Sequence, residues 1–190
     1  MKLRPILWFV LVIQAVLLVI ELTTSYDTPI RQYALSFTNI ASVIGLLWFD
    51  RWLGRRGGKL SWVTIAIVIF SIWLDALGNF QHLYAGYWWW DRITHTVGGM
   101  AVSALFIDLF LTQQRRNTWT TGAMPAIWFG FLLGQFVAAM YEVSEWLGDL
   151  WFDTHRVVYT YDTPHDLFFN LLGGLMVIGL VIITTRKKLS

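Results

Sequence analysis

The residues of this sequence that could do chemistry are carboxylates, imidazoles and side-chain amides spaced one helical turn apart. Asp91 precedes His95 by four positions, and Asp166 precedes Asn170 by four positions. Residues four apart lie on one face of an α-helix, so each pair is presented together. Oxygen and imidazole ligands suit a hard or borderline divalent cation such as Mg, Mn, Fe or Zn. The spacing therefore favours a divalent metal ion as a cofactor of unknown identity.

Two further groups share this helical spacing. Asp75, Asn79 and His82 are predicted to share one face of a third helix, and Glu142 and Glu145 lie one turn apart near the end of a fifth. An ionised carboxylate at such a depth costs at least about 2.5–3.5 kcal/mol on insertion scales, so it usually faces a cavity or a partner. Four helix ends are therefore predicted to converge on one polar site.

Each predicted site residue has an expected role. General acid or base groups, metal ligands and an anion clamp are the roles expected at a site that hydrolyses or transfers a phosphate or ester. The predicted catalytic groups are His95, Glu142, Glu145 and His165. The predicted substrate-binding groups are Arg92, which would clamp an anion, Asn79 and Asn170. The predicted metal ligands are Asp75, His82, Asp91, His95, Glu142, Glu145 and Asp166.

Helix capping is an alternative explanation for two of these groups. Thr163, Pro164 and Asp166 have the spacing of a capping box, with the threonine as N-cap. Asp91 could likewise be the N-cap of the fourth helix. Asp149 is predicted to lie in an exposed loop and to be solvated, as is His155.

Charge neutralisation is a second alternative. Asp75 could form a buried hydrogen-bonded pair with Asn79 or with an arginine. Arg92 and Arg156 could neutralise the carboxylates and leave a structural network without metal.

The composition bounds the class of protein. Of the 190 residues, 56% are hydrophobic and only 14% are charged, which is too apolar for an ordinary soluble domain. The absence of cysteine excludes disulfides, thiolate ligands and cysteine nucleophiles. No basic groove suggests nucleic acid, and no HExxH or Gly-x-Ser-x-Gly motif is present.

The elements that must position these residues are six apolar stretches, each near the roughly 20 residues needed to cross a bilayer. They predict an all-α, polytopic membrane bundle forming one domain over residues 1–190, with short loops that make sequential helices antiparallel neighbours. The first stretch is interpreted as a retained helix rather than a signal peptide. The predicted spans are approximately residues 5–22, 34–50, 60–84, 92–112, 124–147 and 164–185.

The basic residues predict the orientation of the bundle. With both termini inside (N-in/C-in), eleven of the fourteen lysines and arginines lie on the cytoplasmic side, and Arg31, Arg92 and Arg156 are the exceptions. The four histidines and ten of the twelve acidic residues then lie on the outer side. We therefore expect a multi-pass protein of the cell (inner, cytoplasmic) membrane with an outward-facing polar site.

Expected partners follow from the same picture. Membrane lipids are the predicted partners, and nucleic acid is not expected. Gly130 and Gly134 have the small-xxx-small spacing that lets helices approach closely, so a homo-oligomer through small-residue faces is also possible from the sequence.

Three segments in order resemble a known family. Asp91-Arg92-Ile93-Thr94-His95 resembles the helix entry of VanZ-like membrane proteins. Glu142-Val143-Ser144-Glu145-Trp146 is similar to the Glu-x-x-Glu-Trp of YjdF-like inner-membrane proteins, whereas VanZ-like proteins often have Glu-x-x-Gln. The segment from Asp166 through Asn170 to Gly174 is similar to the signature that closes both groups.

The resemblance covers about residues 75–185 and favours the YjdF-like branch. It implies a small polytopic bacterial or archaeal inner-membrane protein without a settled reaction. By motif it points to the positions Asp91, Arg92, His95, Glu142, Glu145, Asp166 and Asn170.

The leading hypothesis is a site in the outer leaflet that acts on or binds a lipid or lipid-linked headgroup, with a divalent metal. A second hypothesis is an ion-coupled transporter in which Asp75, Asn79 and His82 belong to a proton or cation path. A third is a non-catalytic lipid-binding or partner-binding membrane subunit, in which the polar cluster holds the bundle together. Whether the protein is an enzyme is left open by the sequence.

Overall fold

The computed structural model describes residues 4–24, 29–116, 122–154, 156–157 and 159–186. Over these residues the chain forms seven helices and no strand, so the all-α prediction is confirmed for the described chain. Lys2, His155, Lys187 and Lys188 lie outside the described residues. The helices are α1 (Pro5–Thr23), α2 (Pro29–Arg55), α3 (Trp62–Phe80), α4 (Leu83–Gly86), α5 (Trp90–Arg115), α6 (Ala123–Phe152) and α7 (Asp162–Arg186).

Five of the helices are long and apolar enough to cross a membrane within the described residues, namely α1, α3, α5, α6 and α7. These five support a multi-pass helical membrane protein. The remaining long helix, α2, has 27 residues, so its length suffices for a crossing. A sixth span and the N-in/C-in orientation stay predictions.

The third predicted span differs most from the structure. α3 ends at Phe80, not near residue 84, and His82 adopts a left-handed backbone with φ of 54° before the four-residue helix α4. The prediction that His82 shares a helical face with Asp75 and Asn79 is therefore wrong, because the helix has already ended.

The two capping interpretations are also corrected. α5 begins at Trp90, so Asp91 lies inside its first turn, and the N-cap is Trp89. α7 begins at Asp162, which places Thr163 within the helix rather than at its N-cap. Neither Asp91 nor Asp166 is therefore explained by capping in the way the sequence suggested.

The helix α5 is the centre of the bundle and packs on α3, α6 and α7. Its contact with α7 is a parallel one between helices that are not neighbours in sequence. A Cβ added at Gly99 of α5 would lie 2.6 Å from the Asn170 Cα of α7, and one added at Gly173 would meet the Thr96 carbonyl oxygen. Glycine at these positions lets the two backbones touch, so the first turns of α5 and α7 lie side by side.

The small-residue face of α6 is used within the chain. A Cβ at Gly130 would lie 2.5 Å from the Ile107 Cα, and one at Gly134 would lie 2.8 Å from the Ser103 Cα, both in α5. These two glycines therefore serve the α5–α6 contact within the chain, and a homo-oligomer through small-residue faces stays a prediction.

The α1–α2 hairpin is joined to α3 by a chain of buried hydrogen bonds. The Trp73 indole donates to Gln14 Oε1 at 2.8 Å, and Gln14 Nε2 donates to Asn39 Oδ1 at 3.1 Å. Asn39 Nδ2 in turn donates to Glu21 Oε2 at 3.2 Å. Beyond these links α2 packs mainly on α1 and has little contact with α3, which leaves space between α2 and the centre of the bundle.

The two ends of the bundle carry different side chains. At the end where α1 begins and α2 ends, called here the basic end, Arg4 donates to Asp50 Oδ1 at 2.5 Å, and Ser61 N donates to Asp108 Oδ2 at 2.6 Å. At the opposite end, called here the polar end, α5 and α7 begin and α3 and α6 finish. This arrangement brings the carboxylates and histidines predicted from the sequence to one end of the fold.

Candidate functional site

A cavity of about 740 Å³ begins at the polar end and continues into the bundle. Its wall includes residues from all six long helices. Asp91, Arg92, His95 and Asp166 line its polar part. A volume of this size falls in the range of ordinary small-molecule sites, roughly 300–1,000 Å³.

His95 is the centre of the polar cluster. Its Nε2 atom lies 3.4 Å from Asp91 Oδ1 and 3.5 Å from Asp166 Oδ1. One ligand atom from each of these three residues lies within 4.8 Å of the others. A single imidazole nitrogen is therefore faced by carboxylates from two different helices.

The other nitrogen of the same ring faces a different pair. His95 Nδ1 lies 3.2 Å from Glu142 Oε1 and 3.3 Å from Asn170 Nδ2. Asn170 Nδ2 donates to the same Glu142 oxygen at 3.0 Å. A proton on Nδ1 would point at Glu142, which is 2% exposed, and this tautomer leaves the Nε2 lone pair toward Asp91 and Asp166.

Asp166 has a buried oxygen that the described residues do not satisfy. The residue is 3% exposed, and its Oδ1 accepts no hydrogen bond from any described residue. A buried carboxylate oxygen without a donor is costly, because burial removes its hydration. The nearest cationic or imidazole atom is His95 Nε2 at 3.5 Å, which is beyond normal hydrogen-bond length.

These separations match the edges of a metal coordination shell. Two ligands with metal bonds of about 2.1 Å at a tetrahedral angle lie about 3.4 Å apart. The two distances from His95 Nε2, 3.4 and 3.5 Å, have that size. Asp91, His95 and Asp166 are thus spaced to hold a divalent cation, with Glu142 in the position of the outer carboxylate that often orients a histidine ligand.

The parallel contact of α5 with α7 creates this arrangement. Asp91 faces Asp166, and His95 faces Asn170, so both pairs are 75 positions apart in sequence. Equal offsets are what two parallel helices in register produce. The i, i+4 spacing on each helix then stacks the two pairs one turn apart.

A second cluster surrounds Arg156, which lies in the loop after α6. Its guanidinium pairs with Glu145 and donates to the Tyr141 hydroxyl at 3.0 Å. Burial opposes the charge of Arg156, but Tyr141 and Glu145 outweigh it and raise the arginine pKa above its usual value. Glu145 is thus directed to Arg156 and not to His95, although it lies one turn from Glu142.

The loop that carries Arg156 is held by Asp149. This carboxylate accepts hydrogen bonds from the Arg156 and Val157 backbone nitrogens, at 2.8 and 2.7 Å, and from the Thr154 hydroxyl. The prediction that Asp149 is a solvated loop residue is therefore wrong, because it lies in α6 and organises the chain that follows.

A third cluster contains Asp75. Its Oδ1 accepts from the Tyr84 hydroxyl at 2.7 Å and from Asn79 Nδ2 at 3.2 Å. Burial, together with the nearby Asp75 carboxylate, raises the pKa of Tyr84 well above its ordinary value. Asp75 and Asn79 line the cavity as a hydrogen-bonded pair, separate from the His95 cluster. Tyr84 and Tyr141 were not predicted as site residues, because the sequence analysis considered only carboxylates, imidazoles, amides and arginines. Arg156 was named only as a group that could neutralise the carboxylates.

Three remaining predicted site residues lie outside the three clusters, at or near the edge of the cavity. Arg92 lines the cavity, donates to the Trp88 carbonyl at 2.8 Å and stacks 4.3 Å from the Trp88 ring, and it forms no ion pair with a described residue. His82 is exposed and lines the cavity. His165 lies 3.0 Å from the Tyr159 hydroxyl, is partly exposed and is not part of the cavity wall.

Comparison with known proteins gives the family of the chain. Residues 6–187 match the model of a family described as "Predicted membrane protein (DUF2238)". An uncharacterized protein of Thermotoga maritima is 29% identical over 111 residues, which are 54% of this chain and 53% of the relative. The match thus spans about half the length of that relative. No solved structure matches the chain.

Proposed function

This chain belongs to the DUF2238 family of predicted membrane proteins, and we propose that it is a divalent-metal-dependent membrane enzyme that hydrolyses a lipid phosphate. The family is of the YjdF type, which agrees with the branch that the sequence motifs favoured. The proposed site is Asp91, His95 and Asp166 at the polar end of the cavity.

One observation carries this proposal. The Nε2 atom of His95 has a carboxylate oxygen at 3.4 Å and another at 3.5 Å, on two helices, and one of these oxygens is buried without a hydrogen-bond donor. A divalent cation at this point would satisfy all three atoms at once. It would supply Lewis acidity and lower the pKa of a bound water.

Other steps would be carried out by residues of the chain, which would position the His95 ring, accept a proton and bind the phosphate. Glu142 and Asn170 hold the His95 ring from the Nδ1 side, so they are positioning residues. The Asp91 side chain is 28% exposed, against 5% for Asp166, so Asp91 is the carboxylate open to the cavity and the candidate acceptor for a proton from the attacking water. Arg92 would bind the phosphate oxygens, because it lines the cavity and forms no ion pair with a described residue.

The first test is metal content. Protein purified in detergent and re-equilibrated with Mg, Mn, Fe or Zn is analysed by elemental mass spectrometry, as wild type, His95→Ala and the matched control His165→Ala. We expect about one equivalent of one metal in the wild type and in the control, and none in His95→Ala. Equal metal content in all three proteins would refute the site. The metal-loaded wild type should then release phosphate from a lipid phosphate.

An ion-coupled transporter is a second candidate. The cavity wall includes Asp75 and Glu21, and acidic groups at membrane depth often mark ion paths. The inner part of the cavity argues against this candidate, since Leu46, Phe49 and Leu105 line it and offer no polar step toward the basic end. Cation flux in proteoliposomes that is lost in Asp75→Asn would favour the transporter.

A non-catalytic subunit is a third candidate. The Glu145–Arg156 pair and the Asp75–Tyr84 hydrogen bond are closed contacts that hold helices and loop together. A bundle stabilised by such contacts could bind a lipid or a partner without chemistry. Full function of both Asp91→Asn and Glu145→Gln would favour this candidate.

A further inference from the structure

The inner part of the cavity differs in chemistry from its polar end. Beyond the His95 cluster the wall consists largely of apolar side chains, among them Leu46 and Phe49 of α2, Val68 and Ile72 of α3, and Leu105 of α5. We call these five residues the apolar arm. We propose that the apolar arm binds the hydrocarbon chain of the lipid whose phosphate occupies the polar end, an inference that rests on the proposed function.

The length of the cavity supports this assignment. Its wall runs from Leu35 to Phe49 on α2 and from Asp91 to Leu105 on α5, which are fourteen steps on each helix. At 1.5 Å per residue both distances are about 21 Å. The hydrocarbon core of a bilayer is about 30 Å thick, so one leaflet is about 15 Å. A cavity this long exceeds a headgroup and has room for a headgroup followed by much of a hydrocarbon chain.

The order of chemistry along the cavity fits an amphiphile. Charged groups occur at one end, where Asp91, Arg92 and His95 lie one to four positions apart at the start of α5. The apolar arm occurs at the other end of the same wall, about four helical turns along α5. Polar substrates without a chain would leave this arm as empty apolar space, and a water needs two to four polar partners to be held there.

Gly45 of α2 gives the inference a specific test. It lines the cavity between Ser42 and Leu46, and a Cβ built at this position meets no atom within 4 Å. A side chain can therefore begin at this position without a clash at its Cβ. Gly179 of α7 also has nothing within 4 Å, but it is exposed and does not line the cavity. Gly45→Phe, next to Leu46 of the apolar arm, and Gly179→Phe are thus the same chemical change inside and outside the cavity.

The experiment measures binding of alkyl phosphates of six to sixteen carbons to the protein in lipid nanodiscs, without added metal. We expect wild type and Gly179→Phe to bind with an affinity that rises through the whole series. In Gly45→Phe the rise should stop at a shorter chain, and binding of hexadecyl phosphate should weaken by about tenfold or more, the contribution of about two methylenes. Identical series in the three proteins would overturn the inference.

Photocrosslinking identifies where the hydrocarbon chain of the bound alkyl phosphate lies. Hexadecyl phosphate with a diazirine at its terminal carbon should label Phe49, Val68 or Leu105 in wild type and Gly179→Phe, and these labels should be lost in Gly45→Phe. Labels confined to exposed residues such as Phe168 would overturn the inference. His95→Ala separates the two proposals, because it should lose metal and phosphate release while the diazirine still labels the apolar arm.

Discussion

The two ends of the bundle use their carboxylates differently. At the basic end each described acid has donors that match it, since Asp50 accepts from Arg4 and from the Leu60 nitrogen, and Asp108 accepts from the Ser61 nitrogen. At the polar end, His95 is approached by three carboxylates, and an oxygen of one of them, Asp166, is left without a donor. Both ends contain buried acids, but the described carboxylates outnumber their cationic and imidazole partners only around His95 at the polar end.

This difference distinguishes carboxylates that stabilise the fold from carboxylates that can bind a ligand. Acids that are fully paired fix a helix end or a loop and have no capacity for a ligand. An excess of carboxylates around one imidazole leaves negative charge that is compensated only when a proton or a cation is added. The basic end therefore serves as an internal reference. Neutralising a paired aspartate there should lower the free energy of unfolding, whereas neutralising Asp166 at the polar end should leave it unchanged or raise it.

The largest effect is expected at Arg156, the exception within the polar end because its guanidinium forms an ion pair with Glu145. Arg156→Met leaves Glu145, which is 9% exposed, as a buried unpaired acid, and the free energy of unfolding should fall by about 3–5 kcal/mol. Thermal unfolding followed by tryptophan fluorescence measures this change. The double variant Arg156→Met/Glu145→Leu should recover most of the loss, and an unchanged midpoint in the single variant would contradict the pairing.

A pair of matched aspartates tests the comparison directly. Asp50→Asn removes one charge of the Arg4 ion pair at the basic end and should lower the free energy of unfolding by about 1–3 kcal/mol. Asp166→Asn, measured with a chelator present, relieves the crowding of carboxylates and should leave stability unchanged or raised. The same thermal assay gives both values. Destabilisation by both variants to the same degree would remove the distinction between the ends.

The smallest effect is expected at a helix cap. Ser61 is the N-cap of α3, and its hydroxyl accepts from the Thr64 nitrogen at 3.0 Å. Ser61→Ala should cost about 1 kcal/mol of stability and leave metal content at the polar end unchanged. Ser144→Ala, at an exposed position of α6, is the control and should shift stability by less than about 0.5 kcal/mol. A loss of metal in Ser61→Ala would show that the ends are coupled.

Much of the fold could be predicted from hydropathy and length. Five of the six predicted spans are helices that could cross a membrane, because apolar runs near 20 residues have few other solutions. The end of α3 could not be predicted, since no glycine or proline directly follows Phe80, and the turn depends on the left-handed conformation of His82. Histidine is among the residues that tolerate this conformation more often than most, but spacing alone does not reveal it.

The candidate site was predicted in part. The one-turn spacing of Asp91 with His95 and of Asp166 with Asn170 correctly indicated shared helix faces. That α5 and α7 pack in parallel depends on backbone contact at Gly99, which periodicity does not reveal.

Glu145 shows a different limit of helical spacing. Glu142 and Glu145 are three residues apart, so their directions differ by about 60° around the helix axis. Glu142 faces His95, whereas Glu145 faces Arg156 of the loop. The sequence named Arg156 as a group that could neutralise carboxylates, but a loop has no periodicity, so Glu145 could not be assigned as its partner.

The buried hydrogen-bond chain of the α1–α2 hairpin bears on how the protein enters the membrane. Gln14, Asn39 and Glu21 are bonded to one another inside the hairpin, and Trp73 of α3 adds a hydrogen bond to Gln14. Each of these polar groups alone would penalise partition of its helix into lipid. With α2 as the predicted sixth span, the first two helices can satisfy these groups between themselves, and we expect them to leave the translocon together as a hairpin before the central helix has been synthesised.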